Sequence, residues 1–150
     1  MSTAEMRHEA PDRTAIVEVL SRYAFALDLR NFESLAECFT ADARAEYSGV
    51  VLEPGLDHII EHVRGLARLP ATQHIIGSVS IHVEGFEASA VSHAVAHLVR
   101  PTGDGHEVIH RGLTYHDEFT KTKAGWRIHH RVHQVHWMTV EPTVWPVPAM

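Results

Sequence analysis

Four long runs of alternating apolar and polar residues, at about 72–84, 88–100, 106–120 and 126–138, fill the second half of the chain. Alternation with period two marks strands with one buried face, and runs of this length commit most of the backbone to one sheet. The links between them are short and carry turn residues: Gly85, "PTGDG" and "KAG". Links of hairpin length make neighbouring strands antiparallel, because a parallel pair needs a long crossover.

The first half has the helical period instead. From Asp12, a candidate N-cap, apolar residues recur at Ile16, Val19, Leu20, Tyr23, Ala24 and Leu27, the spacing of one helix face. Asp28 extends that face and leaves a carboxylate at the end of an apolar stripe. Asn31 is positioned to cap a second short helix, Phe32 to Phe39, and residues 42–52 alternate loosely as a strand containing Tyr47. Pro54-Gly55 turns the chain into a third helix, with Asp57 as its cap, Ile59, Ile60, Val63 and Leu66 on its buried side, and an end before Pro70. Helices followed by a long-stranded antiparallel sheet give an α+β class. A strongly curved sheet folded around three N-terminal helices makes a cone with one open end. Residues 1–11 and 139–150 read as extended tails on a single domain spanning 1–150.

With 150 residues, 45% of them hydrophobic, the chain can bury one core and still leave a pocket. The formal charge is −6, and the 13 basic residues are scattered among 19 acidic ones. That distribution lacks the basic footprint of a nucleic-acid or acidic-membrane binder and favours an apolar or aromatic small molecule as partner. A single cysteine, Cys38, leaves no internal disulfide, and its helical setting predicts a buried apolar thiol rather than a nucleophile. No charged n-region precedes an apolar run at the N-terminus, so a cytoplasmic location is expected.

Histidine is the compositional anomaly, at 14 residues with no run resembling a purification tag. His58-Ile59-Ile60-Glu61-His62 matches a zinc-peptidase pattern, H-x-x-E-H, but such a site needs a third ligand and a larger scaffold. Two exposed helix histidines is the simpler reading. His93 with His97, and His129 with His133, each share a strand face. A metal reading competes with half-buried or interfacial side chains, and the second is preferred because no ligand spacing with carboxylates accompanies them. Neither a phosphate loop nor a G-x-S-x-G elbow is present. Asp28 and His74 remain. A neutral histidine whose second ring nitrogen is held by a carboxylate is a tuned general base. The competing reading is a salt-bridged helix end and an ordinary strand histidine.

The segments "RYAFALDLRNFESLAECFTADARAEYSG", "TQHIIGS", "GLTYHDEF" and "GWRIHHR", with Trp137 after them, resemble in order and spacing the SnoaL-like branch of the NTF2-like superfamily. Within it the chain is most similar to scytalone dehydratases, with bile acid 7α-dehydratase and lindane dehydrochlorinase as further relatives. The resemblance covers about residues 12–138 and implies the cone fold. It places the family's catalytic dyad on Asp28 and His74, a water-holding tyrosine on Tyr47, and a second pocket tyrosine on Tyr23. It also implies substrate-binding roles for Arg131, for Tyr115 and for His97, the last near the family's second histidine. Two departures stand out: Leu27 replaces a tyrosine before the aspartate, and Leu113 and Tyr115 replace a serine and an asparagine, making a more apolar, aromatic pocket.

The function implied is a cofactor-independent lyase, a dehydratase of a cyclic or polyketide-like hydroxy-carbonyl compound, with no metal. The alternatives are an isomerase, cyclase or epoxide-opening enzyme of the same fold, or a non-catalytic binding module. A homotrimer through the outer sheet face is implied by the same resemblance, with a dimer as the alternative.

Overall fold

The computed structural model describes residues 2–149. Helix α1 spans Thr3–Asp28, and a 3₁₀ turn at Phe32–Glu37 leads into β1, Phe39–Tyr47, and the short β2, Val50–Val51. Helix α2, Leu56–Val63, continues as a 3₁₀ segment, Arg64–Arg68. Four long strands complete the chain: β3 Ala71–Glu84, β4 Glu87–Pro101, β5 His106–Thr122 and β6 Gly125–Thr143. They form one six-stranded sheet in the order β2-β1-β6-β5-β4-β3, antiparallel throughout except where β1 runs parallel to β6. This is the α+β cone that the alternating runs require.

The hairpins form where the turn residues stand. Glu84 pairs with Glu87 across Gly85-Phe86, and Gly85 takes a φ of 62°, a left-handed conformation that glycine adopts without a Cβ penalty. Curvature comes from irregular register: β3 and β4 slip between Ile76 and Val79, and β5 and β6 slip at Gly112/Leu113 and at Glu118/Phe119. Such bulges bend a strand and increase its twist, so the sheet wraps instead of lying flat. Gly112 pairs with Trp137 across β5 and β6, and the indole lies where any Cβ at position 112 would stand.

The inner face of the sheet closes on α1 through Ile16, Val19, Leu20, Tyr23 and Leu27, each almost fully buried, as the helical spacing predicts. Every such aliphatic side chain removed from water contributes about 1.5–3 kcal/mol. Ile59, Ile60 and Val63 of α2 cap the same core.

Several features differ from the sequence reading; one is that Gly55 stands at the N-cap of α2, with Asp57 inside its first turn and not the cap. Helix α1 begins at Thr3 and carries Pro11 in its interior, where the sequence suggests a start at Asp12. Proline removes one helical hydrogen bond, but "TAEMRHEA" before it is rich in good helix formers and the helix continues through. Asp12 therefore caps nothing; its carboxylate accepts hydrogen bonds from Trp126 Nε1 at 2.9 Å and Lys121 Nζ at 2.8 Å, tying α1 to the β5–β6 hairpin. The second helix is a single 3₁₀ segment without a side-chain cap from Asn31. Finally, residues 139–143 are not a tail, because β6 stays paired to His106–His110 of β5 as far as Thr143. No described helix is long and apolar enough to cross a membrane.

Candidate active site

Helix α1 ends in a six-to-one turn, Asn31 N–H donating to Ala26 C=O at 2.9 Å, with Arg30 in the left-handed region at φ 59°. Glycine usually fills that position, and a residue with a Cβ pays about 1–2 kcal/mol there. The Arg30 side chain offsets the strain: Nη1 donates to Leu27 C=O at 2.9 Å and to Thr72 Oγ1 at 2.6 Å, and Nη2 donates to Leu69 C=O at 3.2 Å. The end of α1 is thereby clamped to the start of β3.

Inside that clamp lies Asp28. Its Oδ1 meets His74 Nδ1 at 2.7 Å and accepts the Thr72 hydroxyl at 2.9 Å, while Oδ2 accepts the His74 backbone N–H at 2.7 Å. A carboxylate at a helix C-terminus opposes the helix dipole, a local conflict of the kind that marks functional positions. Burial works to raise the Asp28 carboxyl, but the hydrogen bonds from the His74 ring and backbone, the histidine charge and the Thr72 hydroxyl outweigh it and hold the group below its usual value. An ionised Asp28 requires the proton on Nδ1 of His74. Nε2 then carries the lone pair, and it has no hydrogen-bond partner among the described residues.

His74 lines a cavity of about 360 Å³ inside the cone, together with Tyr23, Leu27, Tyr47, Leu113 and Tyr115. Tyr23 and Tyr47 share a hydrogen bond between their hydroxyls at 3.0 Å. Burial pushes both phenols up, so they stay protonated and able to donate. The expected residues Asp28, His74, Tyr23, Tyr47 and Tyr115 thus gather at one place.

Two expected residues do not line that cavity, although His97 borders, together with Asp28 and His74, a separate cleft of about 710 Å³ at the edge of β3. His97 lies opposite Gln73, whereas His74 lies opposite Ala96. Opposed residues in an antiparallel pair share a face, so it is Ala96 that faces the cavity and His97 is on the outer side. There its Nδ1 meets His110 Nδ1 at 2.7 Å, and His110 Nε2 donates to Glu141 at 2.8 Å. Arg131 is fully buried beneath the cavity floor and does not line it. Its Nε and Nη2 donate to the two oxygens of Asp117, each at 2.7 Å, and its guanidinium is stacked between the rings of Tyr23 and Tyr115 at 4.1 Å from each. The rings of Tyr23 and Tyr115 thus stand between the guanidinium and the cavity.

Three further residues reach the cavity: Arg111, which the sequence gives no reason to select, and His62 and His133, which it offers only as parts of possible metal patterns. His62 stacks on Tyr47 with centroids 4.8 Å apart, so half of the H-x-x-E-H match belongs to the cavity mouth. His58 instead turns to the Pro54 carbonyl at 3.1 Å. His133 packs against Tyr47 and Tyr115, and burial, followed by the charge of Arg131, pushes its pKa down to about 4. Among the described residues no group of three His, Cys, Asp or Glu has metal-binding geometry. Cys38 is buried, and burial raises its thiol to about 11, which leaves it inert as a nucleophile.

Residues 8–132 match the SnoaL-like domain profile. An uncharacterized protein of Mycobacterium tuberculosis is 33% identical over 129 residues, covering 83% of this chain and 85% of its own. Among solved structures, a provisionally named scytalone dehydratase from Novosphingobium aromaticivorans superposes with a TM-score of 0.73 at 22% identity, covering 98% of this chain and 96% of that one. A hexachlorocyclohexane dehydrochlorinase from Novosphingobium barchaimii superposes with a TM-score of 0.74 at 17% identity, covering 91% and 94%. At these identities the two superpositions speak for the fold alone.

Proposed function

The chain belongs to the SnoaL-like domain family, and from that premise we propose that it is a cofactor-independent lyase, a dehydratase of a cyclic or polyketide-like hydroxy-carbonyl compound. The observation that carries this reading is the 2.7 Å contact between Asp28 and His74, whose free ring nitrogen belongs to a residue lining an apolar, aromatic cavity.

In the proposed reaction His74 Nε2 takes a proton from the carbon next to the substrate carbonyl, and the electron pair left behind forms an enolate. Asp28 stabilises the imidazolium that results and keeps its ring in place. Tyr47, backed by Tyr23, donates a hydrogen bond to the enolate oxygen, directly or through one water. The enolate then expels the β-hydroxyl, which takes the proton back from His74 and departs as water. One histidine serving as base and then as acid requires the proton and the hydroxyl to leave from the same side of the ring.

Mass spectrometry of products from a panel of cyclic β-hydroxy ketones tests the reaction class. Loss of one water is the expected result; conversion at unchanged mass would make the protein an isomerase or cyclase.

A further inference from the structure

Positive charge inside the cavity is not fully matched. Arg131 below the floor has Asp117, and the Asp28 carboxylate is taken up by the neutral His74 ring, the His74 backbone N–H and the Thr72 hydroxyl. Among the described residues no Asp or Glu lines the cavity, in a protein whose formal charge is −6. Arg111 also lines it, half-buried in the middle of β5, and its side chain has no hydrogen bond or ion pair among the described residues. His133 nearby is kept neutral down to a pKa of about 4, first by burial and in part by the Arg111 charge, so it adds no second cation near neutral pH.

The register places Arg111 with respect to the base. His74 of β3 lies opposite Ala96 of β4, and Ala96 lies opposite Arg111 of β5. The three form one row across the concave face, with the backbones of His74 and Arg111 about 10 Å apart at two strand spacings. The small Ala96 side chain leaves the space between them open.

Resting on the dehydratase reading, we propose that the substrate is an aromatic or cyclic compound bearing a carboxylate, which Arg111 binds while the reacting carbon lies over Ala96 against His74. A guanidinium without a partner offers a planar fork of N–H donors, and a carboxylate presents two oxygens at matching spacing. A single unmatched positive charge balances a monoanion and leaves a phosphate dianion under-neutralised. The pair forms in a half-buried, largely apolar cavity, where it is screened less than on the surface.

Calorimetric titration of the full chain with 2-naphthoate and with 2-naphthamide, neutral and nearly isosteric, reads this directly. The carboxylate is expected to bind about tenfold or more tightly than the amide, in line with the strength of charge-assisted hydrogen bonds. Arg111→Gln should remove that preference, and Arg111→Lys should retain part of it. His74→Asn should keep the preference while abolishing turnover, so failure of the dehydratase reading and failure of this one are separable. Should Arg111→Gln not fold, the His133 ring resonances of the wild type provide a second readout, shifting with naphthoate and not with naphthamide. Equal affinity for the two probes, no binding of naphthoate, or a preference that survives Arg111→Gln overturns the assignment.

Discussion

His74 differs from the other histidines by its surroundings. Its Nδ1 is held by a carboxylate, its backbone N–H by the same carboxylate, and Thr72 and Arg30 hold the carboxylate in turn. On this account His74→Ala and Asp28→Asn each lower kcat by about a hundredfold or more, the scale of a lost general base. Circular dichroism should show both variants folded. Acid bears on a second residue, His133. The folded pKa of His133 is about 4, below the ordinary histidine value, so between these two the unfolded chain binds more protons than the native one. Stability should rise with pH from about 4 to 6.5, and His133→Gln should flatten that slope in denaturant titrations. At this scale the sequence was legible where a resemblance supplied a partner, as for Asp28 and His74. It was misleading at His97, one residue from the face of the inner cavity, silent at Arg111, and gave His133 only as half of a strand pair, because period-two alternation marks a buried face without saying which buried position borders empty space.

At the scale of elements, the curvature of the sheet and the end of α1 decide whether those side chains meet. Gly112 allows Trp137 to lie flat on β5. Gly112→Ala should therefore destabilise the protein by about 1–3 kcal/mol, as overpacking does, with a shift in tryptophan fluorescence as the indole moves. The long strands and the apolar face of α1 follow from periodicity alone. The helix start is harder to read, since Pro11 and Asp12 together imitate a helix N-terminus; the pairing of Asp12 with Trp126 and Lys121 joins residues more than 100 positions apart. Register slips such as Ile76/Val79 leave no local trace either, because they are set by how neighbouring strands accommodate the wrap.

For the molecule as a whole, the buried Arg131–Asp117 pair holds the floor of the cone together, with Tyr23, Phe39 and Tyr115 around the guanidinium. Asp117→Asn leaves a buried charge without its counterion and should cost about 3–5 kcal/mol, visible as a lowered thermal midpoint. The outer face of the sheet carries Ile75 at 50% and Trp137 at 54% exposure, apolar surface of the kind that self-association covers. Light scattering is expected to give three times the 16.8 kDa chain mass, and a monomer mass would remove the homotrimer from the account.

His74, held by Asp28, is proposed to remove a proton from carbon inside the cone. Incubating a cyclic β-hydroxy ketone with the protein in deuterium oxide reads that step whatever the fate of the hydroxyl. With the wild type, deuterium should enter the carbon next to the carbonyl or water should be lost, and both should fall to the uncatalysed rate in His74→Ala. Equal exchange and equal water loss in wild type and variant would contradict the claim.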